Sequence, residues 1–429
     1  MIGCGYLGAV HAASMAQLGH EVVGVDVDPL KIEALSAGRA PFYEPGLGEL
    51  LSSAMATGRL RFATDVAAAA EASVHFIAVG TPQQAEGYGA DLRYVDAAVE
   101  SLLPQLQPGR LVVGKSTVPV GTAARLAELV EATGAALAWN PEFLREGYAI
   151  QDTLSPDRLV YGVRAGDAAA EAALDEIYAA TLAEGTPKVV TDFATAELVK
   201  VAANAFLATK ISFINAMAEV AEATGADVTR LADAIGHDAR IGRRFLNAGL
   251  GFGGGCLPKD IRGFMARAEE LGVDQALSFL REVDSINLRR RARMVDLALE
   301  VCGGAVAGKR IAVLGLSFKP DSDDVRDSPA LDVACRLSAL GAEVVATDPQ
   351  AIETSRRIRP ELDYVGTVEE AVTGADAVLL LTEWRQYREL DPAAIAPLLH
   401  SPAIVDGRNC LAPTAWRAAG WTYRALGRP

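Results

Sequence analysis

Near its amino terminus the sequence reads Gly3-Cys4-Gly5-Tyr6-Leu7-Gly8, with glycines at the first, third and sixth positions of the run. A helical stretch follows over residues 11–18, and the next apolar run ends at Asp26. Glycines at this spacing allow a tight turn and let a pyrophosphate approach the amino terminus of the helix. Asp26 can accept hydrogen bonds from a ribose diol. The segment predicts a dinucleotide-binding βαβ unit, with a plain glycine-rich turn as the alternative.

The strand that should precede this turn is short, because Met1 and Ile2 alone come before Gly3. The first strand of such a unit lies centrally in its sheet and is buried on both faces. We therefore expect the sequence to lack most of that strand, and a native stub strand is the alternative.

Strand and helix patterns alternate in two regions of the chain. Short apolar runs recur in both regions, at residues 21–25, 74–79, 111–114, 309–315, 344–348, 378–382 and 404–406. Between them, residues 195–299 show helical patterns and no strand. We predict an α/β fold of two Rossmann-like doubly wound domains joined by a helical connector, with boundaries at 1–195, 196–300 and 301–429.

The composition argues against several classes of protein. The net charge of -15 disfavours nucleic-acid binding. Five scattered cysteines without a CxxC pair favour reduced thiols over disulfides, and none is at ligand spacing from a histidine, so we expect no metal site. No uninterrupted apolar run reaches the ~18 residues that span a membrane. With no secretory leader in view, we expect no membrane partner and a cytoplasmic location.

The most informative segment reads GLGFGGGCLPKD over residues 249–260. Pro258 suits the first turn of a helix, which places Cys256 just before a helix amino terminus. That position and the neighbouring Lys259 both favour the thiolate, which is the nucleophilic form. Asp260 would lie in the first helical turn, within reach of the thiol or of an attacking water. The alternative is a buried cysteine beside a flexible loop.

Polar residues elsewhere are candidates for the same site. Lys200 and Asn204 are four residues apart on an apolar helix face, where they need partners unless the lysine reaches solvent. Thr117 follows a predicted strand, and its hydroxyl would face the crevice. Glu142 and Glu146 follow another strand, although either acid could instead cap a helix.

Together these segments resemble the UDP-glucose/GDP-mannose dehydrogenase family. The resemblance covers essentially the whole chain and rests on an ordered set of motifs: the fingerprint, KSTVPVGT at 115–122, NPEFLREG at 140–147, ELVKVAANAF at 197–206, GFGGGCLPKD at 251–260, FKPDSDDVRDSP at 318–329, LTEW at 381–384 and DGRN at 406–409. Residues 240–246 look like the UDP-glucose branch.

The resemblance implies an NAD-binding domain over 1–195, a helical dimerisation core with the cysteine over 196–300 and a UDP-sugar-binding domain over 301–429. It implies a homodimer with an active site shared between subunits. The implied reaction is the NAD-dependent double oxidation of UDP-glucose at C6 to UDP-glucuronate through a Cys256 thiohemiacetal and thioester. The alternatives are the same chemistry on GDP-mannose or an N-acetylated UDP-sugar, or a non-catalytic NAD-binding regulator.

The resemblance also assigns roles to individual residues. The catalytic residues are Cys256, Lys200, Asn204, Asp260, Glu142 and Thr117. The cofactor-binding residues are Gly3, Gly5, Tyr6, Leu7, Gly8, Asp26, Lys31, Thr81, Thr117, Glu146 and Arg326. The substrate-binding residues are Glu142, Phe143, Leu144, Lys200, Arg240, Phe245, Leu246, Gly253, Lys319 and Arg408. Arg240 is expected to reach into the active site of the partner subunit.

Overall fold

Parallel β-strands organise the chain, which a computed structural model describes over residues 1–429. The residues fall into two units: Met1–Ala203 with Arg262–Asp274, and Asn204–Ile261 with Gln275–Pro429. The boundaries therefore cut two helices, Phe193–Thr224 and Leu257–Glu270. The three-part division expected from the sequence stays a prediction.

The first unit contains seven strands. They are β1 Val22–Val25, β2 Leu60–Ala63, β3 Val74–Ile77, β4 Leu111–Gly114, β5 Ala136–Trp139, β6 Leu159–Gly162 and β7 Lys188–Thr191. Strand β1 pairs with β2, and β3 to β7 pair in chain order. The pairs are parallel except for β5 with β6. The strands predicted at 21–25, 74–79 and 111–114 are thus confirmed.

Residues 1–3 run between β1 and β3 and join the two groups of strands. Ile2 forms parallel bridges with Val25 and Ile77. Hydrogen bonds run from Ile2 N to Phe76 O at 2.7 Å and from Gly3 N to Val25 O at 2.8 Å. This short segment therefore occupies the central place in the sheet that the fingerprint assigns to the strand before it.

Helices cover both faces of this sheet. In the first unit they are α1 Tyr6–Gln17, α2 Pro29–Ser36, α3 Leu47–Ala56, α4 Arg93–Leu102, α5 Thr122–Glu131, α6 Ala149–Leu154, α7 Ala168–Ile177 and α8 Ala179–Ala183. On β4, Leu111 and Val113 pack with α1 and α3, whereas Val112 packs with α4 and α5. Alternate side chains leave opposite faces of a strand, so the sheet is buried on both sides, as in a doubly wound fold.

The second unit contains a wholly parallel sheet. Its strands are β8 Arg310–Leu314, β9 Glu343–Thr347, β10 Asp363–Tyr364, β11 Ala377–Leu380, β12 Ala403–Asp406 and β13 Thr422–Ala425. Their order across the sheet is β10-β9-β8-β11-β12-β13. From β8 the chain adds β9 and β10 on one side of the sheet and then β11, β12 and β13 on the other. The switch point therefore lies between β8 and β11, and ligand crevices lie at such switch points. The strands predicted in this region are confirmed as β8, β9, β11 and β12.

The remaining helices follow β7. They are α9 Phe193–Thr224, α10 Val228–Gly236, α11 Leu257–Glu270, α12 Phe279–Val301, α13 Pro329–Ala339, α14 Ile352–Ile358, α15 Val368–Val372, α16 Arg385–Arg388, α17 Pro392–Ile395 and α18 Pro413–Ala418. Helices α9 and α11 belong partly to each unit. The helical, strand-free middle of the chain is as predicted.

By length and composition helix α9 is apolar enough to cross a membrane, although Lys200 and Lys210 interrupt its apolar runs. Buried helices of soluble proteins meet the same criterion. Within the second unit, Ser212 Oγ donates to Val283 O at 2.7 Å and Asn215 Oδ1 accepts from Gly249 N at 2.9 Å. Both side chains are completely buried. Polar groups satisfied by protein partners in this way are typical of a core helix.

Candidate active site

The fingerprint glycines form a turn that leaves the amino terminus of α1 open. Gly3 has a φ of 90°, and a Cβ added at Gly8 would lie 1.8 Å from Gly3 O. A Cβ added at Gly5 would meet nothing within 4 Å. The turn is therefore tightly packed at Gly8 and has open space at Gly5, next to the first turn of α1. This geometry fits the pyrophosphate of a dinucleotide.

Asp26 follows β1 and ties the fingerprint to α2. Its Oδ2 accepts from Cys4 N at 2.8 Å, and Lys31 Nζ lies 3.0 and 2.9 Å from its two oxygens. The side chain is 9% exposed. A ribose diol bound at this position would share the Asp26 carboxylate with Lys31.

A buried lysine joins the carboxyl ends of β4 and β5. Lys115 is 3% exposed, and its Nζ lies 2.9 Å from Asn140 Oδ1, 3.1 Å from Glu142 Oε2 and 3.3 Å from Tyr178 OH. Burial alone would lower the pKa of Lys115, but the charge of Glu142 and contact with Tyr178 outweigh it, and the pKa is raised. Lys115 therefore stays a cation, and Glu142 lies beside it as its partner.

Glu142 is held by its own loop as well. Its Oε1 accepts from Phe143 N at 2.7 Å and from Leu144 N at 3.0 Å, while Oε2 pairs with Lys115. These contacts order the turn after β5 and do not cap a helix, because α6 begins only at Ala149. Oε1 uses both of its lone pairs for the two amides, whereas Oε2 keeps a second lone pair that a water can use.

Three further candidates, Thr81, Thr117 and Lys200, lie at the same edge of the first sheet. Thr81 Oγ1 donates to Thr117 O at 2.7 Å, which links the segments after β3 and β4. Lys200 Nζ lies 5.5 Å from the ring centroid of Phe143, a cation–π distance. The structure thus brings Lys200 onto the loop that carries Glu142.

A buried glutamate that sequence reasoning missed links the fingerprint to this loop. Glu44 accepts from Gly147 N at 2.6 Å and Ala149 N at 2.8 Å, and it also bonds the hydroxyl of Tyr6. Glu44 is 6% exposed. It therefore fixes the segment after Glu146 relative to the first turn of α1.

Cys256 stands at the amino terminus of α11, as the sequence predicts. Asp260 N donates to Cys256 O at 2.9 Å, and Pro258 lies in the first turn. The Cys256 side chain is exposed. Burial instead raises the thiol pKa of the other cysteines, which are Cys4, Cys302, Cys335 and Cys410. Cys256 is therefore the thiol best placed to react.

The acid beside Cys256 is buried and paired. Asn204 Nδ2 donates to Asp260 Oδ2 at 2.7 Å, and Lys259 Nζ lies 2.5 Å from Asp260 Oδ1. Asn204 is 8% and Asp260 6% exposed. The asparagine on the apolar face of α9 thus has the partner that its burial requires.

The cysteine loop, residues 248–256, is irregular, and other parts of the second unit hold its backbone. The contacts are Asn409 Nδ2 to Ala248 O (3.0 Å), Gly249 N to Asn215 Oδ1 (2.9 Å), Arg408 Nη1 to Gly251 O (2.9 Å), Asn287 to Phe252 N and O (2.8 and 2.9 Å), Gly254 N to Arg326 O (2.8 Å) and Gly255 N to Asp324 Oδ2 (3.2 Å). A Cβ added at Gly253, Gly254 or Gly255 would come within 2.8 Å of neighbouring atoms. Larger residues at these three positions would clash with neighbouring atoms, so the close packing around the loop requires glycine.

Arg408 and Lys319, both candidate substrate residues, lie beside this loop. Besides Gly251 O, the Arg408 guanidinium donates to Leu381 O at 2.7 Å and Phe318 O at 3.1 Å. Lys319 Nζ lies 5.5 Å from the centroid of the Phe318 ring. Arg408 therefore joins the segments after β8, β11 and β12 to the cysteine loop.

Sequence reasoning missed several residues that build the site. Asn215 lies in a helix among apolar neighbours, which is the criterion that selected Asn204, so the same pattern would have found it. Asn287 has Ser285, Arg289 and Arg290 close by in the sequence, so this criterion misses it. Lys115 lies in a segment that the sequence singled out, but its burial and its contact with Tyr178 depend on distant parts of the chain.

Comparison with known proteins identifies related sequences along the chain. Models of the UDP-glucose/GDP-mannose dehydrogenase family match residues 1–182 as the NAD binding domain, 194–289 as the central domain and 312–413 as the UDP binding domain. A UDP-glucose 6-dehydrogenase of Rhizobium meliloti is 42% identical over 434 residues, covering 100% of this chain and 99% of that relative. UDP-glucose 6-dehydrogenase TuaD of Bacillus subtilis is 42% identical over 436 residues, covering 100% and 93%.

Solved structures of sugar-nucleotide dehydrogenases also superpose on this chain over its full length. The UDP-glucose dehydrogenase of Pyrobaculum islandicum superposes with a TM-score of 0.90 at 40% identity, covering 100% of this chain and 97% of that one. The UDP-D-ManNAc dehydrogenase of Pyrococcus horikoshii superposes with a TM-score of 0.86 at 28% identity, covering 100% and 98%. The architecture described above is therefore that of sugar-nucleotide dehydrogenases.

The buried Lys115 gives a prediction about stability. Lys115→Met should lower the free energy of unfolding by about 3–5 kcal/mol, because Glu142 would lose its buried cationic partner. Urea unfolding measures the loss. Lys188→Met is the matched control, since Lys188 bonds Glu171 and Asp175 near the surface of the same unit and should lose much less. Equal losses in the two variants would contradict a buried ion pair at Lys115.

Proposed function

This chain belongs to the UDP-glucose/GDP-mannose dehydrogenase family, and from this premise we propose that it oxidises the C6 alcohol of UDP-glucose to a carboxylate with two molecules of NAD. The observation that carries the proposal is the exposed Cys256 at the start of α11, next to the buried Asn204–Asp260 pair. The full-length relatives named UDP-glucose 6-dehydrogenase support the choice of substrate.

The first unit supplies a site that fits NAD. Gly3, Gly5 and Gly8 leave the amino terminus of α1 open for the pyrophosphate, and Asp26 offers its carboxylate to a ribose diol. The charge of Asp26 disfavours the additional phosphate of NADP. The other proposed cofactor residues are Tyr6, Leu7, Lys31, Thr81, Thr117, Glu146 and Arg326. When bound, NAD accepts one hydride in each of the two oxidations.

Cys256 makes the second oxidation possible. The first oxidation removes the hydroxyl proton and a hydride from C6 and leaves an aldehyde. The Cys256 thiolate then adds to the aldehyde carbon, which forms a carbon–sulfur bond and a thiohemiacetal. Loss of the thiohemiacetal hydroxyl proton and of a second hydride from C6 gives a thioester. Water adds to the thioester, the carbon–sulfur bond breaks, and the products are a carboxylate and the free thiol.

The polar residues of the site have separate proposed roles in these steps. Lys200 and Asn204, four residues apart on α9, stabilise the oxyanions that form when sulfur and then water add. Asp260 stands in the first turn after Cys256 and orients Asn204 through its hydrogen bond. Asp260, Thr117 and Glu142 position water and manage protons, and Lys115 pairs with Glu142.

The sugar nucleotide is proposed to bind through the second unit, where the UDP binding domain model matches. Lys319 follows β8 and Arg408 follows β12, and Arg408 donates to carbonyls after β8 and β11, the two strands at the switch point, and to Gly251 O. The other proposed substrate residues are Gly253, Phe245 and Leu246 of this unit, and Glu142, Phe143, Leu144 and Lys200 of the first.

A homodimer is proposed from an apolar stripe on α9. Phe206, Phe213 and Val220 recur every seven residues and are 66%, 49% and 53% exposed. This spacing places them on one helix face, and an exposed apolar stripe of this kind suits packing against another helix. We assign a second copy of the chain to this face, in a soluble, cytoplasmic dimer.

Arg240 is proposed to complete the active site of the partner subunit. Its side chain is 89% exposed and pairs with Asp238 at 2.7 Å. A guanidinium gives paired, charge-assisted hydrogen bonds to phosphate or carboxylate groups. The sugar nucleotide carries the first group and gains the second in the reaction.

The proposed reaction predicts both substrate choice and the effect of Cys256→Ser. NADH formation should be fastest with UDP-glucose, compared with GDP-mannose and N-acetylated UDP-sugars. Cys256→Ser should bind UDP-glucose while glucuronate formation falls roughly a thousand-fold or more, because no thioester can form. Faster turnover of another sugar nucleotide would reassign the substrate. Full activity of Cys256→Ser would contradict covalent catalysis, and no NADH from any sugar nucleotide would favour a non-catalytic regulator.

The shared active site predicts complementation between two inactive variants. Mixing Arg240→Ala with Cys256→Ser gives mixed dimers in which one site has both residues intact. After complete exchange of subunits, about a quarter of wild-type activity should return. Each variant mixed with itself is the control. No recovery despite subunit exchange verified by mass spectrometry would place Arg240 outside the partner's site.

A further inference from the structure

Asn287 makes an unusual contact with the cysteine loop. It lies in α12 and is completely buried. Its Oδ1 accepts from Phe252 N at 2.8 Å, and its Nδ2 donates to Phe252 O at 2.9 Å. One side-chain amide thus makes both hydrogen bonds that a neighbouring β-strand would make with a residue. The contact fixes Phe252 in position and orientation.

The residue before Phe252 is shaped by the same contact. Gly251 has a φ of 99°, and a Cβ added there would lie 2.3 Å from Asn287 Oδ1. Gly251 therefore has to be glycine for its backbone conformation and for the space that Asn287 occupies. Arg408 holds Gly251 O from another direction at 2.9 Å.

We propose that Asn287 is a positioning residue for Cys256, an inference that rests on the proposed function. Phe252 is four residues before Cys256, and the intervening Gly254 and Gly255 are bonded to Arg326 O and Asp324. A shift of Phe252 cannot be absorbed by glycines that are tightly packed, so it is passed on to Cys256. Without Asn287, Phe252 N and O would also be buried without partners.

Displacement of Cys256 has a specific chemical consequence. The first oxidation yields one NADH and an aldehyde, and it does not require the carbon–sulfur bond. The second yields one NADH and the carboxylate, and it requires the thiolate to reach the aldehyde carbon. A displaced thiolate therefore slows the second step more than the first, because a misplacement of about 1 Å can cost roughly a hundredfold in rate. The aldehyde is then released from the active site before the second oxidation takes place.

Two variants test the inference from opposite sides of the contact. Asn287→Asp keeps the size and the acceptor but replaces the donor with an oxygen that faces Phe252 O. Gly251→Ala keeps the Asn287 side chain but adds a methyl group that clashes with its Oδ1. Ser212→Ala is the matched control, because it removes a buried hydrogen bond between α9 and α12, Ser212 Oγ to Val283 O, without touching the cysteine loop.

The first measurement needs no substrate. The rate at which iodoacetamide alkylates Cys256 should fall at least about threefold in both loop variants, as the thiolate loses its place at the start of α11. It should not change in Ser212→Ala. The second measurement is the ratio of NADH to carboxylate formed from UDP-glucose, with released aldehyde measured after the reaction is quenched. The ratio should be two for the wild type and the control, and higher for both loop variants.

Outcomes against the inference are distinct from those against the proposed function. If both loop variants melt at lower temperature but keep wild-type alkylation and a ratio of two, Asn287 serves stability alone and the inference is wrong. If Asn287→Asp does not fold, Gly251→Ala decides by the same two measurements. If the wild type forms no NADH with UDP-glucose, the proposed function fails, and the alkylation rates still decide whether Asn287 positions Cys256.

Discussion

A buried segment without regular structure has to find a hydrogen-bond partner for each of its backbone amides and carbonyls, and the cysteine loop finds its partners outside itself. Asn215 comes from α9, Asn287 from α12 and Arg408 from the turn after β12. The long helices and the second sheet must therefore lie where these side chains reach the loop. The loop, held by these contacts, places Cys256 at the start of α11 with its thiol exposed.

The first unit meets a related requirement with charged groups. Lys115 is buried and has to be paired, and Glu142 is the anion that pairs with it at 3.1 Å. Glu44 in turn accepts from Gly147 N and Ala149 N, at the other end of the same loop. The loop after β5 is thus held at both ends by carboxylates. Rigid loops at the carboxyl edge of a parallel sheet are what a dinucleotide fold uses to orient its ligand.

The sequence predicts those features that depend on neighbouring residues. The strands with clear apolar runs, the strand-free middle, the fingerprint turn and Cys256 at a helix start follow from local pattern, whereas β2, β6, β7, β10 and β13 do not. The pairing of Asn204 with Asp260 joins residues 56 positions apart, and local pattern shows only that Asn204 needs a partner. The contact of Asn287 with Phe252 and the burial of Lys115 depend wholly on how distant segments pack.

The hydrogen bonds to its backbone hold the cysteine loop in order before any ligand binds. Hydrogen–deuterium exchange of the ligand-free protein, resolved to single amides, measures that order. Gly249, Phe252, Gly254 and Gly255 should exchange at least about a hundredfold more slowly than in an unstructured peptide, since each amide donates to a partner in the second unit. Exchange of these four amides at the rate of an unstructured peptide, with slow exchange in α12, would contradict it.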